Sequence, residues 1–194
     1  MLALLLALGL PAGVAAEGLP ALHDVTGVAA DDVLNVRARP NASASILGVL
    51  SPDATDVEVV ATDETGRWGQ VNLREGAGWA ALRYLARQPG QEAGAFPPVA
   101  SCFGTEPFWT LRLDNGVATW AEPDGETSGR VVMRLTSSAR RDRHGLVALL
   151  DGTRLSGVIA ARACSDGMSD RAYGLALDAI YGDAVLSGCC SLAR

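Results

Sequence analysis

The feature that most constrains the fold of this chain is a series of short runs in which apolar and polar residues alternate between turn residues. No segment after residue 17 sustains the period of an amphipathic helix. The runs in the first half are Val33–Val36, Ile46–Leu50, Val57–Ala61, Gly69–Val71 and Ala77–Ala80. In the second half, pairs of runs meet at Asp114-Asn115-Gly116, Asp151-Gly152 and Tyr181-Gly182-Asp183, which are strong hairpin signals. The pattern therefore predicts an all-β protein built from antiparallel hairpins.

A stretch with neither strand nor helix periodicity divides the chain. It runs from Ala86 to Ser101, ARQPGQEAGAFPPVAS, and its prolines and glycines are typical of a linker. The sequence thus predicts two small antiparallel β-barrel or rolled-sheet domains, at residues 22–87 and 101–194, joined by a linker at residues 88–100.

Residues 1–16 are predicted to be a signal peptide. The apolar run Leu2–Leu10 is followed by Pro11, and Val14-Ala15-Ala16 offers a small-residue cleavage site before Glu17, although no Lys or Arg precedes the run. The run is shorter than the about 20 residues that a membrane-spanning helix needs. We therefore expect a periplasmic or secreted protein without a stable membrane span.

The charge balance bears on the class of partner. The formal net charge is -6, and all 16 basic residues are Arg. A basic cluster is absent beyond Arg140-Arg141-Arg143, which we interpret as a solvated strand end. This balance disfavours a nucleic-acid partner.

The motifs of the first domain follow one another in a distinctive order. They are Leu34-Asn35-Val36-Arg37, Pro40, Gly48-Val49-Leu50, the Val57–Val60 strand, Trp68 with Val71, and Gly78-Trp79 followed by Tyr84-Leu85. With these motifs the segment resembles a bacterial SH3 (SH3b) domain. The resemblance implies an SH3-like barrel that binds cell-wall peptidoglycan or a protein partner, without catalysis and without a cofactor.

Aromatic and polar residues of these motifs are the candidate ligand-binding residues: Trp68, Trp79, Tyr84, Asn35 and Arg37. For Trp68, which follows a turn, and for Tyr84, packing in the core competes with lining a groove together. For Trp79, packing in the core competes with ligand contact, and core packing is favoured. Leu34 and Val36 alternate with the two polar candidates, as one face of a sheet requires.

The four cysteines, Cys102, Cys164, Cys189 and Cys190, are predicted to form two disulfides, because a secreted chain meets an oxidising environment. Zinc would require spaced pairs, and a thiol nucleophile in this half of the chain would have only His144 as a base, so we expect no metal site and no catalytic residue. Four cysteines allow three pairings. The pairing of the adjacent cysteines is disfavoured by its strained eight-membered ring. Because neighbours on a strand face opposite sides, we favour Cys164–Cys189 with Cys102–Cys190.

Three blocks of the second domain have distinctive amino-acid sequences: Cys102 to Trp109 (CFGTEPFW), Cys164 to Tyr173 (CSDGMSDRAY) and Gly188-Cys189-Cys190. With them this half resembles a group of uncharacterised bacterial envelope proteins, which implies envelope location and no particular activity. Phe108 and Trp109 are expected to plug the barrel, with Glu106 buried against an Arg such as Arg171. Asp166 and Asp170 are expected to hold a turn, with a Ca²⁺ site or a recognition loop as alternatives.

These inferences lead to one principal function and two alternatives. The principal hypothesis is a binding protein whose SH3b domain docks on cell-wall peptidoglycan or an envelope protein. The first alternative is a periplasmic inhibitor of a wall-degrading enzyme. The second is a wall-active hydrolase.

Overall fold

The structure is a computed structural model that describes residues 18–74 and 76–192. The predicted signal peptide lies outside the described residues. Within them the fold is all-β, as predicted, apart from one 3-10 turn at Leu82–Tyr84. No helix in the described part of the chain is long and apolar enough to cross a membrane.

The N-terminal sheet has seven antiparallel strands around one small core. Its strands are β1 Ala21–Val25, β2 Leu34–Arg37, β3 Ile46–Leu50, β4 Val57–Thr62, β5 Trp68–Leu73, β6 Gly76–Ala81 and β7 Leu85–Arg87. They are ordered β3-β2-β6-β5-β4-β1-β7. One face of each strand supplies the core, as with Leu34 and Val36 on β2 and Val59 on β4. The predicted alternation of β2 is confirmed.

The C-terminal half is a closed barrel of eight antiparallel strands. They are β8 Ser101–Thr105, β9 Phe108–Asp114, β10 Val117–Glu122, β11 Gly125–Thr136, β12 Arg143–Leu150, β13 Thr153–Cys164, β14 Tyr173–Tyr181 and β15 Ala184–Ser191. Each strand pairs with the next along the chain, and β15 pairs with β8 to close the barrel. No sheet edge therefore remains in the barrel.

The predicted hairpin turns are present at the predicted residues. Asn115 and Gly116 have φ of 46° and 85°, and Asp151 and Gly152 have φ of 44° and 82°. Positive φ at both central residues is the type I′ geometry that matches the twist of the flanking strands. Gly182 likewise has positive φ between β14 and β15.

Four strands lie outside the runs that the sequence indicates: β1, β7, β8 and β11. The longest of them, β11, has no buried residue, and its pairing with β12 shifts register between Val131 and Met133. A bulge of this kind interrupts the period-2 pattern. Periodicity therefore could not reveal β11.

The interior of the barrel is filled by an aliphatic core and an aromatic stack. Trp109 stacks on Trp120 with ring centroids 4.9 Å apart, and Tyr181 lies against Trp120. The expectation that Phe108 also plugs the barrel is wrong, because consecutive residues of a strand face opposite sides. Trp109 is 3% exposed and Phe108 54%. The expected burial of Glu106 against Arg171 is also wrong, since Glu106 is exposed.

Both disulfides have the favoured pairing. Cys102–Cys190 joins directly paired residues of β8 and β15, so it covalently fastens the two strands whose pairing closes the barrel. Cys164–Cys189 ties the end of β13 to β15. Cys190 belongs to the barrel core and its neighbour Cys189 does not, which agrees with the argument from opposite strand faces.

The segment between the two sheets is packed against the barrel. It contains no strand, but Val99 belongs to the barrel core and Phe96 packs against it. Phe96 also meets His144 edge to face, with ring centroids 5.7 Å apart. The Pro- and Gly-rich composition correctly predicts an irregular backbone. It does not reveal that two apolar side chains anchor this backbone on the barrel.

Candidate ligand groove of the N-terminal sheet

A tight turn before β5 places Trp68. The carboxylate of Asp63 accepts hydrogen bonds from the backbone N–H groups of Arg67 at 2.9 Å and Trp68 at 2.8 Å. The hydroxyl of Thr65 also donates to this carboxylate and is the chief cause of its lowered pKa, to which the N–H of Trp68 adds. The turn therefore holds the backbone of Trp68 at the start of the strand.

The side chain of Trp68 faces away from the core. Its neighbour Gly69 is buried, and a Cβ there would lie 2.9 Å from Cγ1 of Val59, so Gly69 occupies the core-facing position. Alternation then directs the half-buried indole of Trp68 to the outer surface.

Four of the five candidate residues meet in one groove of about 420 Å³ beside Trp68. The groove is lined by Gly27, Val28, Ala29, Asp32, Val33, Leu34, Asn35, Arg37, Ala42, Trp68, Ala81, Arg83 and Tyr84. It therefore brings together residues from β2, β5 and the 3-10 turn, with part of the loop that follows β1.

Tyr84 and Arg83 form the rim contributed by the 3-10 turn. The guanidinium of Arg83 lies over the Tyr84 ring, 4.7 Å from its centroid, and its Nη2 donates to the phenolic oxygen at 3.3 Å. The backbone carbonyl of Tyr84 accepts from the N–H of Thr26 at 2.9 Å. Tyr84 is thus held both through its backbone and through its ring.

A second cavity of about 490 Å³ shares Trp68 with the first. Trp68, Arg83, Ala42 and Ala81 line both cavities, and Arg67 lines only the second. The two cavities are therefore adjoining depressions of one surface, on which an extended ligand has room to lie.

The charge of this surface contrasts with that of the whole chain. Arg37, Arg67 and Arg83 line the two cavities, whereas the chain carries a formal net charge of -6. Nη1 of Arg37 donates to the carbonyl of Ala44 at 2.8 Å, which orients this guanidinium. The carboxylate of Asp32 accepts from the N–H of Val33 at 2.8 Å. The groove can therefore pair guanidinium groups with an anionic ligand.

Trp79 lies outside both cavities. The favoured placement of Trp79 in the core is wrong, because the core-facing positions of β6 are taken by its neighbours Gly78 and Ala80, which are buried. A Cβ on Gly78 would lie 2.6 Å from Cγ1 of Val36, so that face has no room for a larger residue. Trp79 is half-buried on the opposite face of β6.

The sequence interpretation missed Arg67 and Arg83. Each is next to a predicted aromatic residue, Arg67 before Trp68 and Arg83 before Tyr84. A pairing of Arg with an aromatic residue at the edge of a predicted strand is the signal from which both could have been found.

Asp166 holds a turn, as expected. Its carboxylate accepts from the backbone N–H groups of Met168 and Ser169, each at 3.0 Å, and from the Ser169 hydroxyl at 2.8 Å. Burial opposes ionisation, but these hydrogen bonds prevail and lower the pKa of Asp166. Among residues 18–74 and 76–192, no group of three or more His, Cys, Asp or Glu side chains is placed to hold a metal ion.

Comparison with known proteins identifies the segment that carries the groove. The family model described as bacterial SH3 domain matches residues 32–86. A search of curated proteins and a search of solved structures found no match. The resemblance of the C-terminal half to bacterial envelope proteins gains no support from these comparisons.

Proposed function

We propose that this chain is a periplasmic or secreted binding protein whose N-terminal sheet docks on cell-wall peptidoglycan through the groove beside Trp68. The observation that carries this proposal is the groove itself. It joins Asn35, Arg37, Trp68 and Tyr84 within the segment that matches the bacterial SH3 domain, a module for binding cell wall or protein. An envelope protein is the alternative ligand of the same groove.

The chemistry of the groove suits a wall ligand. Aromatic faces such as that of Trp68 supply a large contact area at low entropic cost, and guanidinium groups recognise carboxylates. Peptidoglycan presents both sugar rings and peptides with carboxylate groups. A strand of it that crosses Trp68 would contact the arginines of both cavities.

We further propose that the groove binds its ligand without catalysis. Asp32 is the only carboxylate among the residues that line either cavity, and it already accepts a backbone hydrogen bond. Glycoside hydrolysis normally needs two carboxylates, an acid and a base or nucleophile. The expected result is that the purified protein releases no soluble fragments from peptidoglycan.

An extracytoplasmic location is consistent with two disulfides in a chain that carries a bacterial SH3 domain. The proposal includes export with removal of residues 1–16. Intact-mass analysis of protein from its native host tests this cleavage, and a mature species that retains Met1 argues against export.

The decisive test is sedimentation with purified peptidoglycan. We expect Trp68→Ala to weaken binding at least about tenfold, because truncation of an aromatic anchor removes a hot spot. The matched control is Phe108→Ala, which truncates an exposed aromatic residue on the barrel, outside the groove. Circular dichroism verifies that both variants remain folded.

Equal sedimentation of the two variants would show that the groove is not the wall-binding surface. Failure of the unmodified protein to sediment would reject peptidoglycan as the ligand. Arg83→Gln gives a second measure, since it removes a charge from both cavities without removing an aromatic ring.

A further inference from the structure

One end of the barrel is acidic. Four turns lie at that end, between β8 and β9, β10 and β11, β12 and β13, and β14 and β15. We call the exposed carboxylates of these turns the acidic rim: Glu106, Glu122, Asp124, Asp151 and Asp183. Because adjacent strands run antiparallel around the closed barrel, alternate turns must lie at the same end.

Within residues 18–74 and 76–192, no ion pair balances the negative charge of the acidic rim. The ion pairs described for the barrel are Arg112–Glu126, Arg140–Asp142, Arg143–Asp142 and Arg162–Asp178, and none includes a rim carboxylate. Near this end Arg154 lies on β13, where its Nε donates to the Ser156 hydroxyl at 2.9 Å. The acidic rim therefore keeps a net negative charge among the described residues.

Carboxylates from two different turns both raise the pKa of the Tyr181 side chain. Tyr181 lies at the end of β14, beside Trp120. Burial is the main cause of its raised pKa, and the negative charges of Glu122 and Asp151 add to it. The two carboxylates are thus close enough in space to produce a combined field at this end of the barrel.

An apolar groove adjoins the acidic rim. Its volume is about 410 Å³, and it is lined by Phe103, Gly104, Thr105, Phe108, Trp109, Thr110, Ala121, Glu122 and Pro123. Phe108 is 54% exposed, because its neighbour Trp109 occupies the barrel interior. A large exposed aromatic side chain beside a groove is a typical anchor of a protein interface.

We propose that this end of the barrel, with the Phe108 groove and the acidic rim, is a docking surface for a basic protein. A Lys or Arg side chain of the partner lies with its aliphatic stem against Phe108 and its charge toward Glu122. The other rim carboxylates steer the partner toward this end and away from unlike surfaces. The partner class follows from charge complementarity between a negative rim and a cationic surface.

The surface is separate from the groove beside Trp68. It belongs to the barrel, its aromatic residue is Phe108, and its charge is opposite to that of the arginine-lined cavities. Binding of a basic protein at this surface is therefore independent of peptidoglycan binding beside Trp68.

The test uses lysozyme, a small basic protein, as the probe, and the full chain with both disulfides intact. Succinylated lysozyme, in which the lysine charges are reversed, is the matched probe. Calorimetry at low ionic strength is expected to show binding of lysozyme and none of its succinylated form. Glu122→Gln combined with Asp124→Asn should weaken binding about three- to tenfold, since each exposed pair is worth up to about 1 kcal/mol. Phe108→Ser should weaken it about tenfold or more.

Asp31→Asn combined with Glu64→Gln is the control, because it removes the same charge from exposed positions of the N-terminal sheet. If the control and the rim variant weaken lysozyme binding equally, binding depends only on the net charge of the protein, and the proposal is overturned. No binding of unmodified lysozyme, or no effect of Phe108→Ser, would also overturn it. Trp68→Ala should leave lysozyme binding unchanged. Loss of lysozyme binding in this variant would show that the docking surface lies on the N-terminal sheet instead.

Discussion

At the scale of single residues, polar side chains inside the barrel carry the clearest physical consequences. His144 on β12 is buried and lies edge to face against Phe96 of the segment between the sheets. Burial lowers the pKa of His144, and the negative charge of Asp142 opposes this only in part. His144 is therefore a neutral member of the core, and protonating it puts a charge inside the barrel.

We predict that His144 makes the barrel less stable in mild acid. Its folded pKa lies below the unfolded value of about 6.5, so the unfolded state takes up the proton first as pH falls. The free energy of unfolding should decrease as pH falls below about 6.5 and stop decreasing, for this residue, below the folded pKa. Urea denaturation of wild type and His144→Leu at about pH 7.5 and 5.5 measures the effect.

The variant should lose less stability than wild type between these two pH values. The carboxylates titrate in both proteins, so their contribution cancels in the comparison. An equal pH dependence of the two proteins would show that His144 is not protonated on unfolding in this range.

At the scale of elements, the disulfides act on particular strands. Cys102–Cys190 spans a sequence separation of 88 and fastens β8 to β15, whereas Cys164–Cys189 spans 25. A crosslink that closes a longer loop removes more conformational entropy from the unfolded chain. The bridge at the barrel closure therefore contributes more to stability than the bridge between β13 and β15.

We predict a measurable difference between the two bridges. Cys102→Ala with Cys190→Ala should lower the free energy of unfolding by about 1 kcal/mol more than Cys164→Ala with Cys189→Ala. Each loss should fall in the range of about 2–5 kcal/mol. Urea denaturation without reductant gives both values.

Within each pair, a single substitution should be at least as damaging as the double one, because it breaks the same bridge and leaves a free thiol. Titration of the unmodified protein under denaturing, non-reducing conditions should find no thiol. Four thiols would refute both bridges.

At the scale of the whole molecule, the two sheets are joined by specific contacts. The side chain of Asn72 donates to the carbonyl of Ala172 at 2.8 Å and accepts from its N–H at 2.9 Å. Gly76 forms a parallel bridge with Asp170. Leu22 of β1 belongs to the barrel core, and a Cβ on Gly174 would lie 2.8 Å from Cδ of Pro20. The loop that contains Asp166 thus serves as a docking element between the sheets.

We predict that Asn72→Ala weakens the contact between the two sheets. It leaves the N–H and the carbonyl of Ala172 without their partners, at a cost of about 1–2 kcal/mol. Hydrogen exchange of the Ala172 amide should become faster, while exchange in β12 and β13 stays unchanged. Asn35→Ala, which alters the outer face of β2, is the control.

Unchanged hydrogen exchange at Ala172 in the Asn72→Ala variant would show that these hydrogen bonds do not hold the two sheets together. Gly174→Ala gives an independent measurement, because the added methyl group meets the Pro20 ring. It should weaken the packing between the two sheets at Pro20 without removing a hydrogen bond.

The sequence by itself determined the features that depend on neighbours along the chain. Alternation and turn residues predicted the all-β class and the hairpins at Asn115-Gly116 and Asp151-Gly152, because strand faces and positive φ are local properties. The opposite faces of adjacent residues also favoured the observed cysteine pairing. The same local rule, applied to Phe108 and Trp109, would have shown that only one of them enters the barrel.

Only the tertiary structure decided which distant residues meet. Closure of the barrel by β8 and β15, the anchoring of Phe96 and Val99 and the contact of Asn72 with Ala172 join residues far apart in sequence. The same holds for the groove shared by Arg37, Trp68 and Arg83, and for the acidic rim. Local patterns specify the face on which a side chain lies, but strand order and register determine what that face meets.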